Sequence, residues 1–364
     1  MSASLSAELA SRTLALCRIP SPTGNERALA DFVEAWAHAL NPAMDVIRIG
    51  HSLVVAPPDA KDSGKPGVLL LGHLDTVPPH ASDGAARLEA GRIHGLGSSD
   101  MKGGLAVMMS LAEQLPRDTA TAVAYVFYER EEGPYSDSGL GPLLTQVPFL
   151  RRAKFAVALE PTDGVVQVGC VGSIHATVRF EGKSAHSARP WQGENAVHKA
   201  GALLAELAVR PRTEVNVGGF TFYEVMSITR AQGGRARNVV PDVFEMNLNY
   251  RFAPGKTREQ AEGEVRALVG GRAALELTDF APAGRVCSDN PHFAKLVSAT
   301  GAPAAAKQAW TDVGRLSQAG LDAVSFGPGE TAQAHQARES APVEPLGAAF
   351  EALRQFFEET KIGA

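Results

Sequence analysis

Cysteine is scarce in this chain: three residues in 364, Cys17, Cys170 and Cys287, with no CxxC pair. An odd number at wide spacing argues against a disulfide framework and a cysteine zinc knuckle. Buried structural thiols in a reduced compartment are the simpler expectation. Long apolar runs are missing too, so no segment approaches a membrane span. The opening MSASLSAELASRTLALCRIP has neither the basic start nor the sustained apolar core of a signal peptide, and reads as a helix. No excess of one charge exists: the net charge is −5 and the pI about 6.1. That balance offers nothing to nucleic acid or to an anionic membrane. A cytoplasmic protein is expected. Internal repeats and low-complexity tracts are absent. What is present is an average globular composition, 45% apolar and 21% charged, in a chain long enough for two domains.

Short apolar runs alternate with helical patterns in the first part. Val68 to Leu71 reads as a buried strand ending at Gly72, and Ala122 to Tyr128 and Phe155 to Leu159 as two more. Met101 to Leu115 has helical spacing, with Pro116 as its stop. Strands alternating with helices predict an α/β sheet covered on both faces. The texture changes near residue 170. Ile174 to Phe180 alternates like a half-exposed strand, and Asn195 to Val209 is an Ala/Leu-rich helix. Strands follow at Val225 to Thr229 and Val243 to Phe252, then a helix capped by Thr257. This is a ferredoxin-like order, and predicts an inserted α+β domain over 171–284 within a domain formed by 1–170 and 285–364. Asp279 to Gly284 reads as the return linker. A strand at Ala323 to Phe326 and a helix over Leu346 to Phe357 complete the first domain.

Chemistry-bearing residues recur at predicted strand ends, where open α/β sheets bind ligands. In Gly72-His73-Leu74-Asp75, the Asp75 carboxylate can accept the proton of one His73 ring nitrogen and fix a metal-ligating tautomer. A solvated surface turn is an equal reading. Gly95 to Gly104 is a glycine-rich loop carrying Asp100, which could equally be an ordinary helix N-cap. The GxxxxGK[ST] order of a phosphate loop is absent. Glu129-Arg130-Glu131-Glu132 packs carboxylates that repel unless a cation or proton intervenes. Glu160 follows a third strand, and His335 follows Gly327-Pro328-Gly329. Each is weak alone. Together, two histidines and three carboxylates suit a pair of zinc ions, with a bridging carboxylate holding two metals ~3.5–4 Å apart.

In this order, GHLDTVP, GLGSSDMKGG, EREEG, LEPT and AHQARES resemble the di-zinc aminoacylase and carboxypeptidase family. KSAHSARP with GENA resembles its lid-domain histidine motif. The resemblance covers nearly the whole chain. It implies a mixed-sheet catalytic domain with a ferredoxin-like lid that makes a homodimer. It implies two Zn²⁺ per subunit, replaceable by Co²⁺ or Mn²⁺, with His73, Glu132, Glu160 and His335 as terminal ligands and Asp100 as the bridge. Asp75 would orient His73 and Glu131 would be the general base. His186 would reach the partner subunit's site. Asn238 and Arg251 would meet substrate carboxylates, with Thr311, Gly327 and Gly329 lining the substrate.

GCVGSIHATVRFEGKSAHSARPWQGENAVHKAG, ARNVVPD, LNYRFAPG and TDVGRLSQAGLDAVSFGPG are similar to the actinobacterial type of succinyl-diaminopimelate desuccinylase. This implies release of succinate from N-succinyl-LL-diaminopimelate on the way to lysine. Deacylases of N-acetylornithine or N-acetyl-lysine, and dipeptidases, share the metal set. A two-metal phosphoesterase and a non-catalytic relative are the more distant alternatives. Two departures stand out. Arg130 occupies a position where the family often has Asp, and an arginine there would lower the pKa of Glu131. Cys170 stands where proteobacterial desuccinylases carry a substrate-binding arginine, leaving Arg189, Arg235 and Arg237 as candidate replacements.

Overall fold

The computed structural model describes residues 2–40, 42–61, 67–115 and 122–359. It divides into two compact units. The first takes Met1–Gly169, Cys287–Lys307 and Thr311–Ala364; the second takes Cys170–Val286 and Gln308–Trp310.

An eight-stranded mixed sheet organises the first unit. Its order is Asp45–Ile49, Ser52–Ala56, Ala122–Tyr128, Gly67–His73, Phe155–Ala158, Ala323–Ser325, Gln167–Val168 and Ala305–Ala306. The four central strands, from Ala122–Tyr128 to Ala323–Ser325, are mutually parallel. They therefore end on one edge of the sheet. Val68, Leu70, Leu71, Phe155 and Val157 are fully buried, which is why these strands read as continuous apolar runs rather than alternating ones. Helix Gly103–Gln114 is buried from Gly103 through Ala112, each large side chain contributing ~1.5–3 kcal/mol. It starts two residues later than the sequence suggests, because Asp100 and Met101 have non-helical backbone angles. It ends at Gln114, where Leu115 turns extended; Pro116, the expected stop, lies outside the described residues.

The second unit is a five-stranded antiparallel sheet in the order Thr213–Val217, Phe220–Gly233, Val243–Phe252, Gly172–Glu181, Ala274–Ala281. Helices Ala196–Lys199, Gly201–Val209 and Arg258–Val269 contribute to its core, which includes Leu203, Val265, Leu248, Ile174 and Phe252. The Arg258 helix begins at Thr257 with a reciprocal capping box to Gln260. Two features differ from the sequence reading. A hairpin strand, Thr213–Val217, extends one edge. Asp279 to Ala281 are not linker: they pair with His175, Ile174 and Ser173 as the end of a strand. The Asp-Phe-Ala-Pro composition suggested a loop, but ladder pairing with Gly172–Glu181 overrides local propensity. The architecture is an α/β mixed-sheet unit with an inserted α+β unit, as the motifs implied. No helix among the described residues is long and apolar enough to cross a membrane.

Candidate metal centre

His73 is the last residue of the strand Gly67–His73 and is 1% exposed. Its Nε2 lies 3.1 Å from Asp100 Oδ1, and its Nδ1 lies 2.9 Å from the backbone carbonyl oxygen of Asp75. The second distance corrects an expectation. The carboxylate of Asp75 is 3.6 Å from Nδ1, and it accepts instead from Glu131 N at 3.0 Å, Glu132 N at 3.1 Å and Thr23 Oγ1 at 2.9 Å. The chain turns after His73, so the Asp75 carbonyl folds back onto the ring while its side chain reaches the next strand's loop. An Nδ1–H donated to that carbonyl turns Nε2 toward Asp100, where Nε2 would be the ligand atom once it gives up its proton to a cation. Asp75 thus orients His73 with its main chain and the Glu131-Glu132 loop with its side chain.

Asp100 is not a helix cap; the Gly103 helix has no side-chain cap, and Asp100 points to His73. Its loop is held by a residue the sequence reading did not single out. The Glu339 carboxylate, 2% exposed, accepts from Gly97 N, Ser99 N and Asp100 N at 2.7–2.9 Å. Glu339 lies inside the quoted AHQARES stretch, but its partners are some 240 residues away, and no local pattern announces such a bond. His335 Nε2 is 2.9 Å from Glu132 Oε2 and 3.6 Å from Asp100 Oδ2. His335 and Arg130, each with φ near +60°, adopt the left-handed backbone region, a conformation that costs non-glycine residues ~1–3 kcal/mol and gathers at functional sites.

Three sets of side chains can each bring one ligand atom within 4.8 Å of the others: His73, Asp100 and Glu160; Asp100, Glu132 and His335; His73, Glu131 and Glu132. Asp100 belongs to the first two. The electrostatics also favour a cation. Burial and the charge of Asp100 push Glu160 up to about 7. Burial and the charge of Glu160 raise Glu131 well above the usual carboxylate range. Burial opposes charging His73, but the hydrogen bond to Asp100 and the charges of Glu160 and Glu131 outweigh it and raise its pKa well above the usual imidazole range. The hydrogen bond to Glu132 lifts His335 to about 9. Glu160 Oε1 is buried without a hydrogen-bond partner. Crowded carboxylates and an orphaned buried oxygen are what a divalent cation would relieve, and N/O ligands of this kind fit zinc.

Arg130 does not depress Glu131. Its side chain turns to Glu129, with Nε 3.9 Å from Oε2, and burial beside Glu160 decides the direction. Thr311 is 3% exposed, with Oγ1 3.3 Å from Ser325 Oγ. Gly327 and Gly329 have a packing reason to be glycine: a Cβ at Gly327 would overlap the Leu159 and Glu160 carbonyl oxygens, and one at Gly329 the Ser99 carbonyl oxygen. In the second unit, His186 and Asn238 lie on adjoining exposed segments, where Ser187 N donates to Asn238 O at 2.9 Å. Ala188 N donates to His186 Nδ1 at 3.0 Å. Arg251, on the strand Val243–Phe252, donates Nε to Asn249 Oδ1 at 3.0 Å. Arg189, Arg235 and Arg237 are exposed.

A profile of peptidase family M20/M25/M40 matches residues 69–359. The chain belongs to this family. It is 38% identical over 345 residues to a putative succinyl-diaminopimelate desuccinylase of Mycobacterium tuberculosis, covering 94% of this chain and 96% of that protein. It is 35% identical over 355 residues to the succinyl-diaminopimelate desuccinylase of Corynebacterium glutamicum, covering 95% of each. In fold it is similar to a tripeptidase from Staphylococcus aureus, with TM-score 0.79 at 19% identity over 98% of this chain and 99% of that one. A dinuclear metal-binding M20 peptidase from Bacillus subtilis aligns with TM-score 0.70 at 14% identity over 99% of each. The chain is accordingly a hydrolase of this family, with a metal-binding cluster at the sheet edge.

Proposed function

We propose that this enzyme hydrolyses the amide of N-succinyl-LL-diaminopimelate, releasing succinate and LL-diaminopimelate. The observation that carries the reaction class is the sharing of Asp100 between two ligand groups. It supports a two-cation site with Asp100 as bridge and His73, Glu160, Glu132 and His335 as terminal ligands. The choice of substrate is supported by the full-length similarity to two desuccinylases. Bound zinc supplies Lewis-acid polarisation of the amide carbonyl and makes nearby water more acidic.

The chain's own residues do the rest. Glu131, raised by burial beside Glu160, takes the proton of the attacking water and passes it to the leaving nitrogen. Asp75 holds the Glu131 backbone where that transfer requires it. His186 accepts a backbone N–H at Nδ1, so its neutral ring carries the proton on Nε2 and can donate to the developing oxyanion. In this reading His186 comes from the partner of a homodimer formed through the second unit. Asn238 and Arg251 meet substrate carboxylates, and Thr311, Gly327 and Gly329 line the substrate. The setting is cytoplasmic, in lysine synthesis. The test is a side-by-side rate comparison, with zinc added, on N-succinyl-LL-diaminopimelate, N-acetylornithine, N-acetyl-lysine and a dipeptide. The succinyl compound should be hydrolysed fastest by kcat/KM; preference for any of the others rejects the assignment.

A further inference from the structure

Lys307 is a lysine in an unusual place. It follows the short strand Ala305–Ala306 in the first unit and is only 7% exposed. Its ammonium makes one hydrogen bond, to the Pro161 carbonyl oxygen at 3.3 Å. Pro161 directly follows Glu160. Among the described residues no carboxylate forms a salt bridge with Lys307. Its ammonium lies within electrostatic reach of both Asp100 and Glu160. A buried ammonium without an ion-pair partner is costly, so its retention beside the metal cluster calls for an anion.

The cluster itself does not supply that anion once it is loaded. The carboxylates of Asp100, Glu132 and Glu160 would be engaged by the cations. Lys307 then keeps donor capacity beyond its one carbonyl bond.

We propose that Lys307 determines acyl specificity: its ammonium receives the free carboxylate of a dicarboxylic acyl group. This deepens the desuccinylase reading and rests on it. A monocarboxylic acyl group such as acetyl has no charge to offer and leaves the ammonium unpaired.

The experiment compares wild type, Lys307→Met and Lys307→Arg as full-length, zinc-loaded protein. The substrates are N-succinyl- and N-acetyl-LL-diaminopimelate, which differ in the acyl carboxylate. Zinc content and thermal unfolding are recorded for every variant. Lys307→Met should lose ~100-fold in kcat/KM for the succinyl substrate, chiefly through KM, as expected when a buried charge loses its partner. Its rate on the acetyl substrate should change less than about threefold, because no charged contact is lost there. Lys307→Arg should retain part of the succinyl preference. Equal loss on both substrates, or loss of zinc with the preference intact in Lys307→Arg, would mean that Lys307 serves only to balance the ligand carboxylates, and would overturn the proposal. Succinate binding, measured by calorimetry against acetate, separates this idea from the reading beneath it. Wild type that does not cleave the succinyl amide sinks the desuccinylase assignment. Succinate binding that is unchanged in Lys307→Met sinks the role of Lys307.

Discussion

His73 and His186 live in opposite surroundings. The first is 1% exposed, with a carbonyl on one ring nitrogen and Asp100 on the other. The second is exposed on a loop, steadied by one backbone N–H. The same contrast separates the two units more widely. In the first, Asp75 and Glu339 each accept two or more backbone N–H groups and fix the loops that bear Glu131, Glu132 and Asp100. In the second, Asn238 and His186 are presented to solvent. The lesson is a division of labour. The first unit keeps buried charge in a cluster whose geometry is set before anything binds, and the second carries its polar groups on exposed segments.

The sharpest way to break this comparison is to remove one group from each side. Glu131→Ala should cut kcat by ~10³-fold or more while zinc content, measured by elemental analysis, stays near that of the wild type. Mixing Glu131→Ala with His186→Ala chains should restore part of the activity in exchanged dimers carrying one intact site. Absence of rescue, with exchange demonstrated, removes the trans assignment. The next effect is on pH. Glu160 near 7 and His335 near 9 must both lose protons to bind a cation. Both lose them as pH rises, so metal affinity should climb by more than ~10²-fold between about pH 6 and 9, read by competition with a chelator. A flat profile would show that these ligands are already deprotonated. The smallest change is Glu339→Gln, which keeps size but weakens acceptance of the Gly97, Ser99 and Asp100 amides. Metal affinity should fall ~10–100-fold, with KM little altered at saturating zinc.

What could be read from the sequence follows from where the information lies. His73, Glu132 and Glu160 sit just past apolar runs that the sheet buries, so strand prediction alone brought them to one edge. The same logic explains why the Thr213–Val217 strand and the pairing of Asp279 to Ala281 were not read: both depend on a neighbouring strand rather than on their own pattern. At Asp75 the ring meets the main-chain carbonyl rather than the carboxylate, because two-residue spacing does not say which of the two reaches it. Glu339 and Lys307 were missed for a related reason. Their partners are distant along the chain, and a lone glutamate or lysine carries no periodic signal.

The insertion of the second unit between Glu160 and His335 has a consequence for how the protein is made. His73, Asp100, Glu131, Glu132 and Glu160 all emerge from the ribosome before residue 170, whereas His335 and the clamp Glu339 emerge only after the entire inserted unit. A nascent chain can gather two of the three ligand groups early, but the group containing His335 cannot close until the inserted unit has been made. Closure of that third group thereby waits on the inserted unit, and a chain truncated before His335 lacks a member of the group and the carboxylate that holds the Asp100 loop.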